Sequence, residues 1–177
     1  MWQTLAMFTL DRGLEILERT PTVLRVLLDG LSPAWIDATE GPDTWSPYDV
    51  VGHLIHGERT DWMTRVRVIV DGGGTFRKFD RFAQFEESRG KSLAQLLDEF
   101  AEVRTESLAQ LRALHLTDAD FERTGTHPSF GTVTLRQLLS TWVAHDLDHL
   151  MQISRVMGRQ LKDDVGPWVE YLRIARD

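Results

Sequence analysis

Apolar positions recur three and four residues apart along most of the chain, the spacing of one buried helix face. The first such stretch covers about residues 8–29 and carries Leu10, Leu14, Leu17, Val23, Leu24, Leu27 and Leu28 on its stripe. Thr20-Pro21 interrupts it and predicts a kink or a break into two helices, since proline lacks the N–H that the helical ladder uses. Gly30 is the expected stop. The second stretch opens at Trp45-Ser46-Pro47-Tyr48-Asp49, where Ser46 suits an N-cap, Pro47 the first helical position and Asp49 the positive end of the helix dipole. Val50, Val51, Leu54, Ile55, Trp62, Val66, Ile69 and Val70 carry it to about Asp71, and Gly72-Gly73-Gly74 ends it. Ser92-Leu93-Ala94-Gln95 is a capping box for a third helix over about 92–114. Thr134-Leu135-Arg136-Gln137 is another, for a fourth helix that runs to about Met157 with Gly158 as terminator. A short amphipathic tail from Pro167 to Arg176 predicts one more helix. No stretch alternates long enough to predict a strand.

These elements predict an all-α fold: an antiparallel four-helix bundle with one long crossover connection and a short C-terminal helix, in a single domain over residues 1–177. The connection, residues 72–91, carries Phe76, Phe79, Phe82 and Phe85 among charged residues. A linker of that length is expected to cross the bundle or cover a pocket.

Composition narrows the function classes. With 20 basic and 27 acidic residues the net charge is −7, which argues against nucleic-acid or anionic-membrane partners. There is no cysteine, so a disulfide, a thiolate-ligated zinc and a cysteine nucleophile are excluded. The first residues read as a lead-in to a helix, not a signal peptide, and no apolar run approaches the roughly 18 residues of a membrane span. A cytoplasmic location is the expectation. Trp2, Phe8, Trp168 and Tyr171 flank the bundle and would either form a homodimer surface or cap the ends of the core.

The chemistry concentrates in the fourth helix. His145 and His149 stand four residues apart, on one face. That face is the core seam, Leu135, Leu138, Trp142, His145, His149, Gln152 and Val156, stepping alternately by three and four. Two buried imidazoles without partners would each cost a few kcal/mol. A bound cation would offset that, because neutral imidazole is a common metal ligand. The competing reading is a pair of hydrogen-bonded or half-exposed histidines. A third ligand must come from another helix, with His53 and His56 as rivals in the second. Gly57 one turn past His53 is an odd choice for a helix interior and suggests that a ligand or a bulky side chain needs its space.

The chain resembles the DinB-like family, the YfiT-like metal-dependent hydrolases, over about residues 10–158. The resemblance rests on Trp45-Ser46-Pro47 leading into His53-Leu54, with Glu58 behind it. It rests equally on His127-Pro128, Phe130-Gly131, Val133-Thr134-Leu135 and the block His145 to Ile153, in that order and spacing. It implies a four-helix bundle and places the family's three histidine ligands on His53, His145 and His149, leaving His56 as a rim or solvated residue. Three histidines leave a coordination position open, as in a catalytic site, and suit zinc, nickel, iron or manganese.

Around that centre, Asp49 and Asp146 are candidates to orient the ligands, against a helix-start role for Asp49 and a solvated one for Asp146. Glu58 would reach the pocket floor or pair with Arg59, Arg65 or Arg67. His127 would close over the mouth or lie on a surface loop, and Gln152 would contact a bound water or its neighbours. The expected function is a metal-dependent enzyme acting on a small molecule. The resemblance implies two versions, hydrolysis or transfer using a low-molecular-weight thiol such as bacillithiol or mycothiol; Arg77, Lys78 and Arg81 would either bind its carboxylates or be solvated. The alternative is a non-enzymatic, stress-related metal-binding or interaction protein, whose site a fourth side chain such as His56 or Glu58 would close.

Overall fold

A computed structural model describes residues 8–176, so Trp2 lies outside the described residues. Helix α1, Leu10–Leu17, starts at Thr9, whose hydroxyl accepts from the backbone N–H of Arg12. The chain breaks before Pro21, and α2 runs Thr20–Leu28. A single turn, α3 (Pro33–Ile36), leads to α4, Pro47–Gly57, which opens with Ser46 and Asp49 in a reciprocal capping box. Then comes a π-helical turn, Glu58–Trp62, and α5, Met63–Val70. Within the connection lies α6, Ala83–Ser88. The two longest helices follow, α7 (Leu93–Ala113) and α8 (Leu135–Arg159), each opened by the capping box expected of it. Four helical limbs therefore make the bundle: α1 with α2, α4 through α5, α7, and α8.

Three expectations change. The segment before α8 is not a plain loop: β1, Thr124–His127, pairs antiparallel with β2, Gly131–Thr134, with Thr124 opposite Thr134 and His127 opposite Gly131. Four-residue strands are too short for alternation to be read, and Gly131 at φ 72° supplies the turn conformation a larger residue resists. The hairpin also holds the connection, since Phe76 N–H donates to the Thr126 carbonyl at 2.9 Å and Thr126 N–H to that of Gly74 at 2.8 Å. Gly158 does not end α8. A Cβ there would meet Ile174 at 2.8 Å, so this glycine lets the C-terminal tail cross the helix. The tail itself forms two 3-10 turns, Gly166–Glu170 and Arg173–Ala175, in place of a regular helix. Phe8 packs against Phe121, capping the core, whereas Trp168 and Tyr171 stay exposed.

The core is split in two. One apolar cluster gathers Trp62, Val66, Leu108, Leu111, Leu139 and Trp142; the other gathers Leu54, Ile55, Leu96, Phe100 and Ile153. Between them each long helix places a polar residue at the bundle's waist. Arg104 comes from α7, Glu58 from the π-turn and Asp146 from α8. Arg104 is 2% exposed. Its guanidinium donates to both oxygens of Asp146, at 2.6 and 3.0 Å, to Glu58 Oε1 at 3.0 Å and to the Leu17 carbonyl of α1 at 2.8 Å. Trp142 Nε1 donates to the same Glu58 oxygen at 2.9 Å. Burial raises Glu58 above the usual carboxylate range despite the pull of Arg104. Burial also opposes the charge on Arg104, but the two carboxylates outweigh it and raise its pKa. One cation thus ties all four limbs together.

Candidate metal centre

Directly beside this waist, His53 of α4 meets His145 and His149 of α8. The Nε2 atom of His145 lies 3.1 Å from that of His53 and 3.1 Å from that of His149. One nitrogen from each ring falls within 4.8 Å of the other two. His149 donates its Nδ1–H to Gln152 Oε1 at 2.8 Å, so its Nε2 carries a lone pair aimed at the cluster. The buried Nδ1 atoms of His53 and His145 have no hydrogen-bond partner among the described residues. Three ring nitrogens at this separation need a proton or a cation between them. Metal–imidazole bonds of about 2.0–2.1 Å give ligand nitrogens roughly 3.0–3.4 Å apart, the separation of His145 from each of the other two rings, so the donor set suits one ion.

Rings enclose the histidines. Trp45 packs on His53 at 4.7 Å, Trp62 stands edge-on to His145 at 5.1 Å and Phe79 edge-on to His53 at 5.6 Å. Burial, reinforced by the neighbouring histidines, lowers His53 to about 3 and His145 to about 2; burial also lowers His149. All three rings are therefore neutral at physiological pH, the form that ligates metal.

The same shifts predict acid lability. Each histidine binds a proton in the unfolded chain near pH 6.5 but not in the fold, so stability is full above that pH and drains away as pH falls towards 3. His53 and His145 together withdraw roughly 2.7 kcal/mol per pH unit. Asp61 has the opposite sign: its raised pKa of about 6 makes the fold take up protons first, returning about half of that between pH 6 and 4. Metal-stripped protein should lose on the order of 3 kcal/mol over those two units. Urea unfolding at pH 6.5, 5 and 4 reads this directly, and a flat profile would show that the rings are not buried neutral.

Asp61 is the residue that the periodicity conceals. In an uninterrupted helix Asp61 and Arg65 would stand about 80° and 120° round from His53. The π-turn adds one residue and turns the rest of the helix back by roughly one residue's rotation. Asp61 and Arg65 consequently join His53 on the wall of one cavity of about 590 Å³, which Trp45, Phe79, Arg81, His127, Phe130, His145 and His149 also line. Arg65 Nε lies 2.7 Å from Asp61 Oδ1, and burial nevertheless pushes the Asp61 carboxyl up to about 6. Gly57 lies on this wall too. A Cβ there would come within 3.3 Å of Trp62 Nε1, so the bulky neighbour is Trp62.

The remaining candidates sort cleanly. His56 is buried, not solvated, and its Nδ1 lies 3.0 Å from both carboxylate oxygens of Glu87, away from the histidine cluster. Glu58 pairs with Arg104 of another helix, because Arg59 goes to Glu99, Arg65 to Asp61 and Arg67 to Gln110. Asp146 is fully buried on Arg104, and Asp49 serves only its capping box. His127 stacks on Phe130 at 4.4 Å, and its Nδ1 accepts from the backbone N–H groups of Ser129 and Phe130. It lines the cavity mouth instead of lying on an outlying loop.

The fold has a solved counterpart. YfiT from Bacillus subtilis, described as a probable metal-dependent hydrolase with an unusual four-helix bundle topology, superimposes with a TM-score of 0.74 at 22% identity, covering 90% of this chain and 93% of that one. No curated protein matches the chain significantly. The model of the DinB superfamily matches residues 16–153, most of the length and the whole span that holds the histidine cluster and its cavity. The chain is a member of the DinB superfamily.

Proposed function

We propose that the protein is a divalent-metal-dependent enzyme that transfers a small electrophilic group to water. The observation that carries this reading is the convergence of three neutral imidazole nitrogens, from His53, His145 and His149, on the wall of a cavity that also holds Asp61. The description of YfiT as a probable metal-dependent hydrolase supports it. A divalent ion held there would act as a Lewis acid and make a bound nucleophile reactive near neutral pH. Trp45, Trp62 and Phe79 keep bulk water away from the imidazoles and so strengthen every polar interaction inside. Asp61, fixed by Arg65, takes the proton from the nucleophile as it attacks and returns it to the leaving group. A thiol in place of water is the second reading. The aromatic walls suit a sulfur nucleophile, and a chain without cysteine must take any thiol from solution.

The test combines elemental analysis with rate measurements. Gently purified protein should carry about one divalent ion per chain. A panel of activated esters in buffer, and of activated electrophiles with an added small thiol, tells hydrolysis from thiol transfer. Asp61→Asn should keep the ion yet lose about 10²–10⁴-fold in turnover. In the parent the rate should rise with pH as Asp61 becomes a carboxylate able to accept the proton, at a pH that the charge of a bound ion would set below the value of about 6 of the metal-free carboxyl. A chain free of metal sinks the metal-dependent reading, and an Asp61→Asn variant with parental rates removes Asp61 from it.

A further inference from the structure

The cavity has one cation that the fold itself does not use. Arg65 is committed to Asp61. Arg81, from the connection that crosses the bundle, has its guanidinium carbon 5.2 Å from the Trp45 ring and 5.6 Å from the Phe82 ring. Among the described residues it forms no ion pair, although the chain carries 27 acidic residues against 20 basic ones. Aromatic rings cover the faces of such a group and leave its N–H edges free, because the donors of guanidinium lie in its plane. Arg81 is itself exposed and lines the cavity, whose walls also include Trp45, Trp62, Phe79 and Phe130. The charge of Arg81 reaches the interior, where it helps to disfavour protonation of His53.

We infer that the cavity takes a flat, apolar small molecule bearing a carboxylate, with Arg81 gripping the carboxylate and the aromatic walls holding the body against the histidine cluster. A single guanidinium presents two parallel N–H donors, the match for one carboxylate. With Arg65 and Asp61 offsetting each other on the same wall, Arg81 supplies one uncommitted positive charge, which a monoanion matches. The volume of about 590 Å³ lies in the range of pockets that enclose ligands of one to three rings. The neighbouring cleft, which shares Phe79 and Asp61 and is also lined by Arg77 and Lys78, has about 210 Å³, below that range. The inference rests on the enzymatic reading for its biological meaning, but the anion preference belongs to Arg81 and needs no turnover.

The experiment is calorimetric titration of the parent chain and of Arg81→Gln with 2-naphthoate, its neutral analogue 2-naphthamide and the cation 2-naphthylmethylammonium. Each is run on metal-loaded protein and on protein stripped with a chelator, the metal content being measured on every sample. The parent should bind naphthoate at least tenfold more tightly than naphthamide, with the cation weakest. Arg81→Gln should bring naphthoate down to the naphthamide level and leave naphthamide itself unmoved. Equal affinities in the parent overturn the inference, and so does a naphthoate preference that survives Arg81→Gln, since that would mark direct capture by the metal. Absence of naphthoate binding up to millimolar concentration overturns it as well. Because stripped protein retains Arg81, a chain that holds no metal but shows the Arg81-dependent preference would reject the metal-dependent function and keep the inference. A metal-loaded chain without the preference would do the reverse.

Discussion

Arg104→Met should lower the unfolding free energy by about 3–5 kcal/mol, the largest effect expected of any single substitution outside the apolar core. The reason lies in what it leaves behind. Glu58 and Asp146 would remain buried as carboxyl groups without their shared cation, and Trp142 and the Leu17 carbonyl would lose their common anchor. Desolvation already works against Glu58 in the intact network. Adding Glu58→Met and Asp146→Leu to Arg104→Met should recover most of the loss, because an apolar waist no longer buries uncompensated charge. Denaturant unfolding of the single and triple variants at pH 7 reads both effects. A single variant within about 1 kcal/mol of the parent would mean that the waist is hydrated and not a buried network.

The second large effect is stabilisation by metal. Zinc, nickel, iron(II) or manganese that binds only the folded chain adds about 4 kcal/mol at a thousandfold excess over its dissociation constant. For a chain of this size that raises the melting temperature by roughly 8–16 °C. His145→Leu with His149→Leu should abolish the shift entirely. The same variant, free of metal, should be no less stable than the stripped parent at neutral pH. It removes a buried Nδ1 atom that lacks a partner and two rings that burial keeps neutral. Loss of metal response without loss of fold separates a site kept for chemistry from one kept for structure. If none of the four ions moves the parent's transition, the histidines hold a polar contact and no ion.

Much of this was legible along the chain. Capping boxes at Ser46, Ser92 and Thr134 mark helix starts through local hydrogen bonds, and those contacts form regardless of tertiary context. The seam of α8 likewise follows from the period of a regular helix, which is why His145 and His149 could be placed on one face with certainty of spacing. What was not legible depends on departures from regularity or on partners distant in the chain. Asp61 reaches the histidines only because a π-turn resets the helix phase. Arg104 offers no local sign of its role, since its partners Glu58 and Asp146 lie 46 and 42 residues away. The expected place of His56 is the rim or solvent, yet it is buried and its ring meets Glu87 of α6, 31 residues away. The hairpin at Thr124–Thr134 is too short to declare itself by alternation.

The π-turn at Glu58–Trp62 also sets what evolution or a protein engineer can do with this helix. Excising one residue there would let the backbone close into an ordinary α-helix with regular hydrogen bonds. It would equally swing the whole of α5 about its axis, carrying Arg65 off the cavity and Trp62 off its stacking partner Trp142. Length at this point is therefore a functional character in its own right. Relatives with one residue fewer in this turn would keep the same histidines but own a different pocket, and would need other residues along α5 to refill the core that Met63, Val66 and Ile69 fill here.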